Sequence, residues 1–99
     1  MSRRRAVTPE KAWQRTIVEA ATLSGWLTLH FPNMQMNPQG FPDLICFRDG
    51  RVLLLELKSE IGTVSPRQAE MHERLSQAGH TVHILRPDDH WPSILELLQ

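Results

Sequence analysis

The chain has 99 residues, 40% of them hydrophobic, and its 11 basic residues balance its 11 acidic ones. That length is typical of a single domain with one hydrophobic core. A formal net charge of zero gives no global signature of nucleic-acid binding, although it is compatible with a local basic patch. No run of residues approaches the ~20 apolar positions that cross a membrane, and no apolar signal-peptide core follows the basic N-terminus. We therefore expect an intracellular, cytoplasmic protein without a membrane partner.

The first predicted element is a helix over residues 8–24. Thr8 is a favourable N-cap, Pro9 suits the first helical position, and Gly25 ends the pattern. The preceding residues 1–7 contain three consecutive arginines and form either a solubilising tail or a basic arm that binds nucleic acid. The expected organisation is thus a flexible arm followed by one domain over residues 8–99.

The remaining pattern predicts three strands, a helix, a fourth strand and a short C-terminal helix. An Asp49-Gly50 turn joins the second strand to the third, and Ser65 with Gln68 forms a capping box that opens the second helix. Two short connections make the first three strands antiparallel, while the helical crossover makes the third and fourth parallel. The class is therefore α/β with an α+β-like mixed sheet. The predicted ranges are 26–31, 43–47 and 52–58 for the strands, 66–78 for the helix, 81–85 for the last strand, and a helix near 94–98.

Three ionisable residues interrupt the two most apolar strands: Asp43, Glu56 and Lys58. Because residues two apart on a strand share a face, Glu56 and Lys58 point the same way. Counting back through the hairpin brings Asp43 close to both. Burying an unpaired charge costs several kcal/mol, so the three groups must compensate one another, bind a cation, or both.

Two carboxylates with water suit Mg²⁺ or Mn²⁺, which accept hard oxygen ligands. A bound metal can activate water and neutralise charge on a phosphate, and Lys58 could stabilise the anionic transition state. That set of groups is what phosphodiester hydrolysis needs. The alternative is a structural ion pair at a strand end, and the spacing by itself leaves both interpretations open.

A family resemblance favours the first interpretation. Pro42-Asp43 followed by Glu56-Leu57-Lys58 resembles the PD-(D/E)xK nuclease motif, and residues 40–44, 56–58 and 65–68 together resemble the VRR-NUC family in its stand-alone, phage-type form. The resemblance covers nearly the whole chain. It implies a restriction-endonuclease-like αβββαβ core, here followed by a short C-terminal helix.

The resemblance also implies roles for individual residues. Asp43, Glu56, the Leu57 backbone carbonyl and Glu10 would bind metal, while Lys58 and Gln68 would act in catalysis beside the two acids. For Gln68 the capping box, and for Glu10 the helix dipole, supply alternative explanations. The basic residues that would line the approach of DNA are Arg3, Arg4, Arg5, Lys11, Arg15 and Arg67. The loop over residues 33–39 is a candidate DNA-contacting or mobile segment.

The implied function is a metal-dependent, structure-selective DNA endonuclease, acting as a homodimer on branched DNA as a Holliday-junction resolvase. Its cofactor would be Mg²⁺, with Mn²⁺ able to replace it, and no organic cofactor is expected. The protein would be phage-encoded. Two alternatives stay open: a nickase or flap nuclease within a larger replication or packaging assembly, and a non-catalytic DNA-binding module that retains the fold.

Overall fold

A computed structural model describes residues 8–31 and 39–99, in which three helices flank a four-stranded sheet. The residues 1–7 and most of the 33–39 loop lie outside the described residues, so the predictions for them stay predictions. No helix in the described part of the chain has the length and apolar character needed to cross a membrane. The elements are α1 (Pro9–Leu23), β1 (Leu27–His30), β2 (Leu44–Arg48), β3 (Arg51–Leu57), α2 (Pro66–Gln77), β4 (Val82–Leu85) and α3 (Trp91–Leu97).

The sheet has the predicted topology, with the strand order β1-β2-β3-β4. β1, β2 and β3 pair antiparallel, and β4 pairs parallel with β3. The turn between β2 and β3 has positive φ at both central residues, 51° at Asp49 and 75° at Gly50. This left-handed pair matches the twist of a two-residue hairpin, which explains why Asp-Gly occurs there.

Both long helices begin at the predicted caps. The Thr8 hydroxyl accepts a hydrogen bond from the Lys11 backbone N–H at 3.2 Å. At α2, Ser65 Oγ accepts from the Gln68 N–H at 3.1 Å, and Gln68 Oε1 accepts from the Ser65 N–H at 2.9 Å. The capping box therefore fixes the position of the Gln68 side chain at the start of α2.

One face of the sheet, here called the core face, packs against α1 and α3. It carries fully or almost fully buried side chains in consecutive cross-strand rows, because paired residues project to the same side. The indole of Trp13 donates to the Leu85 carbonyl at 2.9 Å, and the indole of Trp26 donates to the Leu98 carbonyl at 2.7 Å, which joins both helices to this layer. The core-face residues are Leu44, Cys46, Leu53, Leu55, Leu57 and Leu85.

The opposite face, here called the open face, is covered only in part by α2. Helical spacing in the sequence predicts that Met71, His72, Leu75 and Ala78 form an inward-facing stripe on α2. The first three are half-buried, but Ala78 is exposed because it caps the helix end. The apolar sequence of β3 also predicts cover on both of its faces, which is only partly met, since Val52 is 44% exposed. The open face thus carries uncovered apolar surface beside α2.

Candidate active site

Asp43 lies immediately before β2 and is held against β3. Its Oδ2 accepts a hydrogen bond from the Leu57 backbone N–H at 2.8 Å. Leu44 pairs with Leu55, so extending the register by one residue places Asp43 opposite Glu56. The hairpin therefore brings the two carboxyl groups together at one end of the sheet, as the sequence predicts.

Glu56 lies on the open face beneath the first turns of α2, and its side chain is 0% exposed. Its Oε2 is 3.7 Å from Lys58 Nζ and accepts a hydrogen bond from Gln68 Nε2 at 3.1 Å. Its Oε1 is 3.3 Å from His72 Nε2. Four polar side chains thus surround one buried carboxyl group: Asp43 just before β2, Lys58 just after β3, and Gln68 and His72 on α2.

Burial raises the pKa of Glu56 to about 9, and hydrogen bonding and repulsion from Asp43 act in the same direction. Lys58 opposes this shift without cancelling it. Two neighbouring carboxyl groups that cannot both ionise cheaply create a demand for positive charge at the same place. The donor set fits Mg²⁺, which typically uses one or two protein carboxylates and keeps several waters.

Gln68 makes both contacts that its position allows. Its amide oxygen closes the capping box with Ser65, and its amide nitrogen donates to Glu56. The two explanations considered from the sequence are therefore geometrically compatible. A catalytic role for Gln68 stays a prediction.

His72 is a site residue that the motif analysis missed. It lies one helical turn after Gln68, so the i, i+4 spacing on α2 was the available signal that both side chains face Glu56. Burial, reinforced by the Lys58 charge, lowers the pKa of His72, and Asp43 partly offsets this. Neutral imidazole at this position can hold the Glu56 carboxyl group in one orientation.

Two predicted metal ligands are less closely tied to the acid pair. Leu57 is buried, and its backbone N–H donates a hydrogen bond to Asp43. Glu10 lies in the first turn of α1 and lines a groove of about 790 Å³ with Ser59 and Glu60. No hydrogen bond or ion pair joins Glu10 to Asp43 or Glu56 among the described residues. Nor do those residues contain a cluster of three His, Cys, Asp or Glu side chains suited to a metal.

The predicted DNA-binding residues fall on different sides of the sheet. Lys11 and Arg15 line one cavity on α1, whereas Arg67 lies on α2 beside Gly40. Gly40 has φ +75°, and a Cβ there would lie 2.8 Å from the Arg67 carbonyl oxygen, so only glycine permits this close approach. That contact fixes the segment before Asp43 against the start of α2. The residues Arg3, Arg4 and Arg5 lie outside the described ranges.

The element order, the mixed sheet and the end-of-sheet acids define a restriction-endonuclease-like αβββαβ core with an added C-terminal helix. Among solved structures, the chain is similar to one described as a VRR_NUC domain protein, with 20% identity and a TM-score of 0.67. The match covers 95% of this chain and 90% of that chain. No protein-family model and no curated protein matches the sequence. The structural similarity confirms the predicted VRR-NUC-like fold.

Proposed function

We propose that this protein is a Mg²⁺-dependent DNA endonuclease, selective for branched DNA and active as a homodimer. The observation that carries the proposal is the convergence of Asp43, Glu56 and Lys58 at one end of the sheet, in a fold shared with a VRR_NUC domain protein. A structural ion pair alone would not need a second carboxyl group that raises the Glu56 pKa. Hydrolysis of a phosphodiester needs that surplus of oxygen ligands.

Each residue at the site has a separable role in this proposal. Asp43 and Glu56 would hold Mg²⁺, with the Leu57 carbonyl and Glu10 as further ligands. When bound, the ion supplies positive charge against the charge that develops on the phosphate. Lys58, 11% exposed and 3.7 Å from Glu56, can donate to a phosphate oxygen or orient the attacking water. Gln68 and His72 hold the Glu56 carboxyl group from the α2 side.

The basic residues would bind the DNA backbone rather than read bases. Lys11 and Arg15 lie on α1 and Arg67 lies on α2, while Arg3, Arg4 and Arg5 would add positive charge from the predicted basic arm. Contacts of this kind carry affinity without sequence information. Selectivity would then follow from DNA shape, for which a four-way junction is the proposed substrate.

The open face supports the proposed homodimer. Leu27, Phe47 and Val52 form one row across three strands and are 71%, 41% and 44% exposed. Exposed contiguous apolar surface on a small protein commonly marks an interaction site. A second copy is the proposed occupant because it presents the same uncharged row, which a two-fold axis can pair with itself. Two active sites related by that axis would match the two-fold symmetry of a junction.

The primary test is cleavage of an immobile four-way junction beside a linear duplex of matched sequence, in Mg²⁺, Mn²⁺ or EDTA. We compare the wild type with Glu56→Gln and Lys58→Ala, and with Glu19→Gln as an exposed carboxylate control. The expected result is metal-dependent cutting of the junction, lost in the first two variants and retained in the control. Equal cutting of both substrates would exclude junction selectivity. Tight binding without cutting in either metal would instead favour the non-catalytic module.

The dimer is tested separately by sedimentation of Phe47→Asp. Because Phe47 is exposed in the single subunit, the variant is expected to keep the melting temperature of dilute, monomeric wild type and to sediment as a monomer where the wild type is a dimer. The matched control is Leu23→Asp, at a position that is 88% exposed at the end of α1, away from the open face. A wild type that stays monomeric on DNA would contradict the dimer.

A further inference from the structure

A second cavity lies between α1 and the edge strand β1. It has a volume of about 320 Å³ and is separate from the groove that Glu10 lines. Its lining residues are Lys11, Gln14, Arg15, Val18 and His30. Among the residues that the structure describes, no carboxylate lines it, although acidic and basic residues are equally numerous in the chain. The cavity is therefore cationic in a neutral protein.

Two polar groups in this cavity have no hydrogen-bond partner within residues 8–31 and 39–99. Gln14 is only 5% exposed, and no hydrogen bond joins its amide to another of the described residues. His30 Nε2 is buried and also has no hydrogen-bond partner. Buried polar groups are normally satisfied, and leaving one unpaired is costly. Both residues line one cavity, so a single ligand there could contact both side chains.

The chemistry of the lining selects an anion with several oxygens. Lys11 and Arg15 supply two positive charges, Gln14 supplies amide N–H groups, and His30 supplies a ring N–H. Phosphate oxygens accept from all three donor types. A cationic ligand would be repelled by both charges, and a carboxylate would offer fewer acceptor oxygens than a phosphate.

The cavity lies near the acid pair but on the other face of the sheet. His30 pairs with Leu44, the residue that follows Asp43, and Asp43 is close enough to influence the His30 imidazole electrostatically. A strand cut at Asp43 and Glu56 could therefore place a neighbouring phosphate at the α1 edge. The position suits a contact that aligns the strand without taking part in the chemistry.

We propose that the cavity formed by Lys11, Gln14, Arg15 and His30 is a phosphate-binding subsite for a non-scissile phosphate of the substrate strand. This inference rests on the proposed nuclease function for the identity of the ligand. The subsite anchors the strand on the α1 side while the scissile phosphate lies at the acid pair.

Binding in EDTA tests the subsite without cleavage. Fluorescence anisotropy with a labelled four-way junction, or a labelled duplex, is measured for the wild type, Gln14→Met and His30→Phe over a range of salt concentrations. Removing a hydrogen bond to a charged group should weaken binding about tenfold or more with an unchanged salt slope. Lys11→Gln and Arg15→Gln should each reduce the slope by about one. Arg51→Gln, at the far hairpin, is the matched charge control and should change neither quantity.

The source of the phosphate is identified by chemical substitution of the DNA. A methylphosphonate is placed in turn at each linkage flanking the cut. At one internal linkage, this replacement should abolish the difference in DNA affinity between the wild type and Gln14→Met. If that difference vanishes instead only on removal of a 5′-terminal phosphate, an internal phosphate is excluded. Folding of each variant is checked by circular dichroism. If Gln14→Met fails to fold, His30→Phe still decides the question, because backbone binding alone already predicts the effects of the Lys11 and Arg15 variants.

The outcomes separate the subsite from the nuclease. Wild-type binding and cutting, with no change in affinity or salt slope in the four cavity variants, would overturn the subsite and the backbone contacts assigned to Lys11 and Arg15, but would leave the nuclease activity itself intact. If the wild type neither binds nor cuts DNA, inorganic phosphate is the probe. A His30 imidazole NMR shift on adding phosphate, lost in Gln14→Met, would then support the subsite alone. Absence of that shift would overturn it.

Discussion

The core face of the sheet is sealed by α1 and α3, whereas the open face is covered only beside β4 and over Glu56 by α2. On the core face, Leu44, Cys46 and Leu55 are completely buried. On the open face, Glu56 is equally buried, yet Leu27 in the same sheet is 71% exposed. Neighbouring residues on one strand point to opposite faces of the sheet and therefore lie in different environments.

The core face therefore mainly stabilises the fold, whereas the open face holds the groups proposed to carry out the chemistry. An apolar layer closed on both sides contributes most of the free energy of burial, and a charged side chain there would be costly. The open face holds the ionisable groups because α2 supplies Gln68 and His72 as partners for Glu56 while leaving Lys58 half-buried at the edge. Partial cover thus lets a buried carboxyl group lie close to solvent and substrate.

The largest expected contrast is in stability. Leu44→Ala should lower the free energy of unfolding by about 2–5 kcal/mol, because it leaves a cavity in the sealed layer. Leu27→Ala, on the open face, should lower it by less than about 0.5 kcal/mol in dilute protein. Urea denaturation of both variants measures the two costs. A cost at Leu27 that grows with protein concentration would show that a second subunit covers this face, and a cost equal to that at Leu44 in dilute protein would contradict the comparison.

The second contrast concerns adjacent residues on β2. Burial raises the pKa of the Cys46 thiol to about 11, so little thiolate forms near neutral pH. Labelling of native Cys46 by a thiol reagent should be at least about a hundredfold slower than labelling of Phe47→Cys in a Cys46→Ala background. Equal rates would mean that the core face opens as readily as the open face.

Much of the sheet topology and of the acid pair could be predicted from local patterns. Asp49-Gly50 specifies the hairpin turn, Ser65 and Gln68 specify the start of α2, and strand alternation brings Asp43 to Glu56. These signals lie within a few residues of one another, or are propagated by the fixed register of one hairpin. They are therefore readable without knowing the tertiary structure.

The features that escaped prediction depend on how distant elements pack. The contact between His72 and Glu56 requires the rotation of α2 about its axis, and the cavity between Gln14 and His30 requires the distance of α1 from β1. The prediction that Ala78 is buried failed because helical periodicity does not show where α2 leaves the sheet. Similarly, an apolar strand such as β3 does not reveal how much of each face is covered.

The third prediction concerns the pH dependence of stability in EDTA. Because the pKa of Glu56 rises from its ordinary value of 4.5 to about 9 on folding, the folded protein keeps a proton that the unfolded chain releases between these values. Stability should therefore fall as pH rises through this window. Glu56→Gln should flatten that slope and raise the melting temperature at pH 8 by several degrees. The control is Glu19→Gln, which should leave the slope as it is. A variant less stable than the wild type at pH 8 would show that the Glu56 carboxylate stabilises the fold.

The smallest expected effect distinguishes the two contacts of Gln68, one with Ser65 in the capping box and one with Glu56 on the open face. Ser65→Ala removes the hydroxyl half of the capping box and should cost about 1 kcal/mol in stability. The amide nitrogen of Gln68 can still donate to Glu56, so cleavage by Ser65→Ala should stay close to that of the wild type. Gln68→Ala removes both contacts and should lower stability by a similar amount while reducing the cleavage rate. Thermal denaturation and single-turnover cleavage of the two variants provide the measurements. If both variants lose stability equally and cut DNA equally well, Gln68 only caps α2, and the polar cover of Glu56 depends on His72 and Lys58.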